Sequence, residues 1–177
     1  FFINEKIDEG HILLQEDLEI GGEENAGSLH DRLMELGAKV VVQTLDGLAE
    51  NTIIQKPQPM VEHPKNAFKI YKEDTRIDWT RKSKEIYDFV RGMSPYPSAF
   101  TVLDINGEPK NLKIFSGRFN TEEHGIPGTM IIAKKLFRIF TKDGVYYPEE
   151  VQLEGKKRMT ASDFLNGFQT FEHIKLA

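Results

Sequence analysis

The stretch KIDEGHILLQ, residues 6–15, sets Asp8 between Ile7 and Glu9 with Gly10 two positions on, at a bend between two short apolar runs. Such a side chain could project from a sheet end into a crevice. An Asp in a glycine-supplied turn can equally hydrogen-bond its own backbone two residues on. The residue types leave both roles open. Asp8 by itself cannot carry acyl or proton transfer, which needs a base, a partner that orients it and a stabiliser for the oxyanion. Other carriers of chemistry are missing. The chain has no phosphate-cradling glycine loop, no Gly-x-Ser-x-Gly elbow and no paired-histidine metal motif among His11, His30, His63, His124 and His173. The segment EEHG, residues 122–125, lies in a glycine- and proline-rich turn and is expected to be a solvated loop, so no metal is assigned. Zero cysteines exclude disulfides and thiolate metal sites, and fit a reducing compartment.

The elements that would position Asp8 divide at a change of charge. Residues 1–50 carry a net charge of minus nine, residues 51–92 plus three and residues 93–177 plus one. Two parts with different electrostatic duties are thus joined, and a polyanion would meet the later one. No apolar run approaches the roughly 18 residues that suggest a membrane span, so a soluble, cytoplasmic protein is expected. The first residue is Phe1 and no signal peptide is recognisable, so the chain is expected to start inside a larger protein. FFIN and HILLQEDLEI have the alternation of two strands joined by a turn. Leu29, Leu33, Leu36 and Val40 then recur at helical spacing, with Ser28 as N-cap and Asn51 as stop. Strand, turn, strand and long helix suit the tail of an α/β domain.

The segment TIIQKPQPMVEHPK, with three prolines, is expected to be an extended linker. RKSKEIYDFVRGM follows as a short helix. Beyond it come SAFTVLDI, a turn at Asn106-Gly107, NLKIFSGRF, GTMIIAKK, LFRIFT, a turn at Asp143-Gly144 and VYYPEEVQLE, which predict a small barrel or sandwich. Thr160, with Asp163 three positions on, caps a short closing helix. Trp79, beside RID and ahead of a helix, is expected to anchor packing rather than to stack on a base.

Five blocks, KIDEGHILLQ, GSLHDRLMELGAKVVVQTL, AFKIYKEDTRIDW, IYDFVRGMSPYPSAFTVL and EGKKRMTASDFLNG, resemble in order and spacing the second half of the bacterial methionyl-tRNA formyltransferases. The resemblance implies an α/β fragment, the end of a Rossmann-like formyltransferase domain, followed by a β-rich OB-fold-like barrel with short helices. The implied boundaries are 1–50 for the catalytic-domain end, 51–66 for the linker and 67–177 for a tRNA-binding domain. The family's Leu/Ile-Asp-x-Gly turn falls on Ile7, Asp8, Glu9 and Gly10. That makes Asp8 the counterpart of the catalytic aspartate, with Ile7, Asp8 and Gly10 at the folate pocket. In the family the methionine α-amine of charged initiator tRNA attacks the formyl carbon of 10-formyltetrahydrofolate, while the Asn and His of an Asn-x-His motif hold the oxyanion. None of the five histidines here has Asn two positions before it, and Ser-Leu-Leu-Pro is absent. Most of the folate pocket is therefore expected upstream of Phe1, and the 177-residue chain alone is expected to be inactive.

The resemblance also implies tRNA contacts at Lys69 and Lys72 in KIYK and at Lys156, Lys157 and Arg158 in GKKR, where charge alone would suggest solvated cations. The expected partner is initiator methionyl-tRNA, with no DNA and no membrane, in a monomer without metal. Two alternatives stand beside this reading. One is another folate-dependent formyltransferase, acting on an amino sugar nucleotide; the other is a stand-alone RNA-binding OB module.

Overall fold

A computed structural model describes residues 1–5, 9–59, 62, 65–133, 136–167 and 174–176. Ile7 and Asp8 lie outside the described residues. By internal contacts the chain divides into two compact units, Phe1–Glu24 with Ser28–Lys69, and Asn25–Gly27 with Ile70–Ala177.

The helical spacing of Leu29, Leu33, Leu36 and Val40 produces α1, Ala26–Ala49. It starts two residues before Ser28, which therefore lies inside the first turn. The N–H of Gly27 in that turn donates to the Ser94 carbonyl at 3.0 Å, which satisfies one of the donors that a helix start leaves over. At the other end Asn51 adopts the left-handed conformation, φ 56°, and the Thr52 N–H donates to the Gly47 carbonyl at 2.9 Å. This is the stop that Asn51 predicts. The apolar residues Leu33, Met34, Val41, Val42 and Leu45 on this helix are exposed.

The two strands expected from FFIN and HILLQEDLEI are not formed. Residues 11–20 carry no helix or strand beyond one antiparallel bridge, Ile12 to Lys56, and the Phe2 N–H donates to the His11 carbonyl at 3.1 Å. Alternation confers β propensity, but a strand exists only where a neighbour pairs with it, and the described residues of this unit offer no sheet. Gly10 is buried against the Phe2 backbone. A Cβ there would stand 1.5 Å from the Phe2 carbonyl oxygen, and the Gly10 carbonyl accepts from Gln58 Nε2 at 2.8 Å. Position 10 therefore requires a residue without a side chain.

Among the described residues the second unit is built on a sheet of seven strands: β1 Ala99–Ile105, β2 Glu108–Asn120, β3 Met130–Ala133, β4 Leu136–Phe140, β5 Val145–Leu153, β6 Met159–Thr160 and β7 Ile174–Leu176. The pairing order is β3-β4-β5-β2-β1-β7, with β6 against β5, and all pairs are antiparallel. Curling gives a nearly closed, barrel-like sheet, helped by register shifts between Ile114 and Gly117 that bend β2. Strict alternation sends Ala99, Thr101, Leu103 and Ile105 of β1 inward. They meet Leu112, Ile114, Tyr146 and Val151 in one core. The turn after β1 has Asn106 at φ 54° and Gly107 at φ 89°. Its Gly107 N–H donates to Asp104 Oδ1 at 2.7 Å. Two positive φ values make it the hairpin that the Asn-Gly pair predicts.

Helix α2, Ser83–Met93, buries Ile86 and Val90 against the sheet. Its start is capped by a residue far off in sequence: Asp143 Oδ1 accepts both the Ser83 N–H and the Ser83 hydroxyl at 2.7 Å. Those bonds hold the Asp143 carboxyl below its ordinary value. Helix α3, Ala161–Asn166, begins as expected, with Thr160 Oγ1 accepting the Asp163 N–H at 3.1 Å. Trp79 is 7% exposed, and its indole N–H donates to Thr101 Oγ1 at 3.1 Å. It is an anchor of the core.

Candidate nucleic-acid interface

Five short-range bonds shape the segment ahead of Trp79. Asp74 Oδ2 accepts the Tyr71 N–H at 2.8 Å, Thr75 Oγ1 donates to the Lys72 carbonyl at 2.9 Å, and the N–H groups of Asp74, Thr75 and Arg76 close a 3₁₀ turn over Glu73–Thr75. The Ile77 N–H then donates to the Phe100 carbonyl at 2.8 Å. This strap ties the turn to β1 and sets the Lys72 ammonium 5.9 Å from the centre of the Phe100 ring. On the sheet, Phe100 pairs with Lys113, and Lys113 with Gln152. Because their neighbours Ala99, Leu112 and Val151 point inward, these three side chains share the outer face.

That face is the floor of a groove of about 540 Å³. One wall is the 3₁₀ turn with Tyr71 and Lys72. Another is Tyr96-Pro97-Ser98, and Glu154-Gly155 of the β5–β6 turn closes the rest. Glu154 accepts the backbone N–H of Asn111 at 3.0 Å and its Nδ2 at 2.9 Å. The Asn111 backbone bond, then its side chain, keeps this carboxylate ionised below the usual range.

The positions expected from the sequence are distributed unevenly. Lys72 lines the groove. Lys156 lines an adjoining depression that shares Leu153 and Glu154 with it. The turn that carries Lys156 is closed by the Lys156 N–H to the Leu153 carbonyl and by Gln152 Nε2 to the Lys156 carbonyl, both at 2.9 Å. Lys157 is exposed on the same turn. Arg158 differs from its neighbours. Its guanidinium is paired with Glu150 and lies 4.2 Å from the centre of the Phe115 ring, so its charge is already met. Lys69 is exposed and belongs to the first unit.

Sequence reasoning missed Lys113 and the two tyrosines. The alternation of NLKIFSGRF does place Lys113 on the outward face, but only cross-strand register sets it beside Phe100. The EEHG segment is more than a solvated loop, because Glu123 accepts from the Tyr147 hydroxyl at 2.6 Å and pairs with Arg138. Among the described residues no three His, Cys, Asp or Glu side chains converge as a metal group would need, and no helix is long and apolar enough to cross a membrane.

A curled antiparallel sheet with short helices and a cationic, aromatic outer groove defines a small barrel-like β domain. Comparison with known proteins agrees. The family described as "Formyl transferase, C-terminal domain" matches residues 69–169, and the chain belongs to this family. Among similar proteins are methionyl-tRNA formyltransferases of Flavobacterium johnsoniae, 38% identical over 99% of this chain, and of Azobacteroides pseudotrichonymphae, 40% identical over 94%. The chain spans 56% and 54% of their lengths. HypX of Aquifex aeolicus, solved with tetrahydrofolic acid, shares the fold with a TM-score of 0.67 at 20% identity, over 94% of this chain and 29% of that one.

Proposed function

We propose that this chain is part of an enzyme that transfers a formyl group from 10-formyltetrahydrofolate to the α-amine of methionyl initiator tRNA, at the start of protein synthesis in the cytoplasm. The observation that carries the reading is the similarity to methionyl-tRNA formyltransferases over 99% of the chain, through both units. Residues 67–177 are the tRNA-binding domain, residues 51–66 the linker and residues 1–50 the end of the catalytic domain. The amine attacks the formyl carbon, the bond from that carbon to the folate nitrogen breaks, and tetrahydrofolate leaves. Asp8 is the carboxylate that tunes the histidine of the Asn-x-His motif, which this sequence does not contain. Ile7, Asp8 and Gly10 form the edge of the folate pocket. What supports this for Gly10 is that its position admits no side chain.

Lys69, Lys72, Lys156 and Lys157 supply positive charge for tRNA phosphates, with Arg158, already paired with Glu150, contributing less, and the protein acts as a monomer without metal. Lysines that displace condensed counterions from phosphates bind in a salt-dependent way and carry little base information. The test is a titration of initiator tRNA into the chain at rising salt. Binding whose logarithm falls linearly with the logarithm of salt is expected. No binding at low salt would remove tRNA from the reading.

A further inference from the structure

We propose that the groove on β1, β2 and β5 receives unpaired nucleotides of RNA, with bases stacked on Tyr96 and Tyr71 and phosphates beside Lys72 and Lys113. The proposal deepens the tRNA reading and rests on it for the kind of nucleic acid. Tyr96 is 86% exposed and Tyr71 59%, and both line the same groove. A large aromatic ring as exposed as that of Tyr96, at the rim of a concave site, presents a flat apolar face with a polar tip to whatever enters the groove.

Tyr96 stands between Pro95 and Pro97 on a pinned turn: the Ser94 N–H donates to the Arg91 carbonyl at 3.3 Å and the Ser98 N–H to the Met93 carbonyl at 2.8 Å. Ser98 completes the turn in the left-handed region, φ 73°. A ring on such a support loses little freedom when a base stacks on it. Charge favours an anionic chain. Lys72 is held over Phe100 and Lys113 is the cross-strand neighbour of Phe100; these two cations outnumber the one acidic lining residue, Glu154, which stays ionised with Asn111 as its donor. Aromatic faces interleaved with cations suit single strands, in which every base has a π-face to offer. A duplex has its base faces already stacked on one another and offers none.

The test titrates fluorescein-labelled hexa-adenylate into the full chain at low salt, beside an abasic hexamer with the same phosphates. Tyr96→Ala and Tyr71→Ala are each expected to weaken hexa-adenylate binding roughly tenfold. Tyr96→Phe and Tyr71→Phe keep the ring and are expected to bind as the parent does. The abasic hexamer should bind about tenfold more weakly, or worse. Both tyrosines are exposed, so their replacement empties no core. Equal affinity for the abasic and adenylate hexamers, unchanged binding by the two alanine variants, or no hexamer binding at all would each overturn the proposal. Salt-dependent initiator-tRNA binding that persists in those cases leaves the tRNA reading standing. Loss of tRNA binding alongside tyrosine-dependent hexamer binding overturns that reading and not the groove.

Discussion

The indole N–H of Trp79 donates to Oγ1 of Thr101 at 3.1 Å, with both side chains buried in the interior of the sheet. The bond satisfies the one polar atom that this large ring carries into the core. Thr101→Val keeps shape but leaves the N–H unpaired, and a loss of about 1–3 kcal/mol is expected. Urea unfolding followed by tryptophan fluorescence measures it. Initiator-tRNA affinity should not change, because Thr101 faces away from the groove.

Asp143 caps α2 through Ser83, and the Ser83 hydroxyl and then its N–H hold the carboxyl below the ordinary 3.8. A group whose pKa is lower folded than unfolded stabilises the fold above the unfolded value, and that stability is lost as pH falls through the folded value. Asp143→Asn is therefore expected to be less stable than the parent at neutral pH, with the gap closing as pH drops below about 4. Urea midpoints at neutral pH and at successively lower pH test the sign. A gap that widens on acidification would contradict the cap.

Lys156 and Lys157 project from the β5–β6 turn, whereas Arg158 is committed to Glu150 and Phe115. Neutralising both lysines to Gln should lower the slope of log K against log salt for initiator tRNA by up to about two units, near one per phosphate contact. Arg158→Gln should change that slope less than either lysine does. Equal slopes in the double variant and the parent would take the turn off the contact surface.

In a full-length enzyme containing this chain, Asp8→Asn is expected to depress kcat with little change in KM for tRNA, as befits a carboxylate acting on a base rather than on binding. Steady-state formyl transfer measures it. Near-normal turnover would make Asp8 a turn residue.

Local patterns determined much of this protein. Asn106-Gly107, Thr160 with Asp163, Asn51 and the alternation of AFTVLDI each specify their conformation through bonds or sterics a few residues long, so the hairpin, the α3 cap, the α1 stop and β1 are legible in the chain. Block resemblance likewise pointed to the formyl transferase family. Pairing relations were not legible. FFIN and HILLQEDLEI alternate as strands do, yet a strand needs a pairing ladder, and the described residues show a single bridge, Ile12 to Lys56, and one bond from Phe2 to His11. The two-residue β6 and three-residue β7 are too short to carry a period and exist only because β5 and β1 receive them. The site divides in the same way. Residue type marks Lys72, Lys156, Lys157 and Arg158 as one cationic set. Only the tertiary structure separates them, laying Arg158 on Phe115 beside Glu150 and bringing Lys113, Tyr71 and Tyr96 to the groove with Lys72. Charge is a property of the residue, whereas its availability depends on what the fold sets beside it.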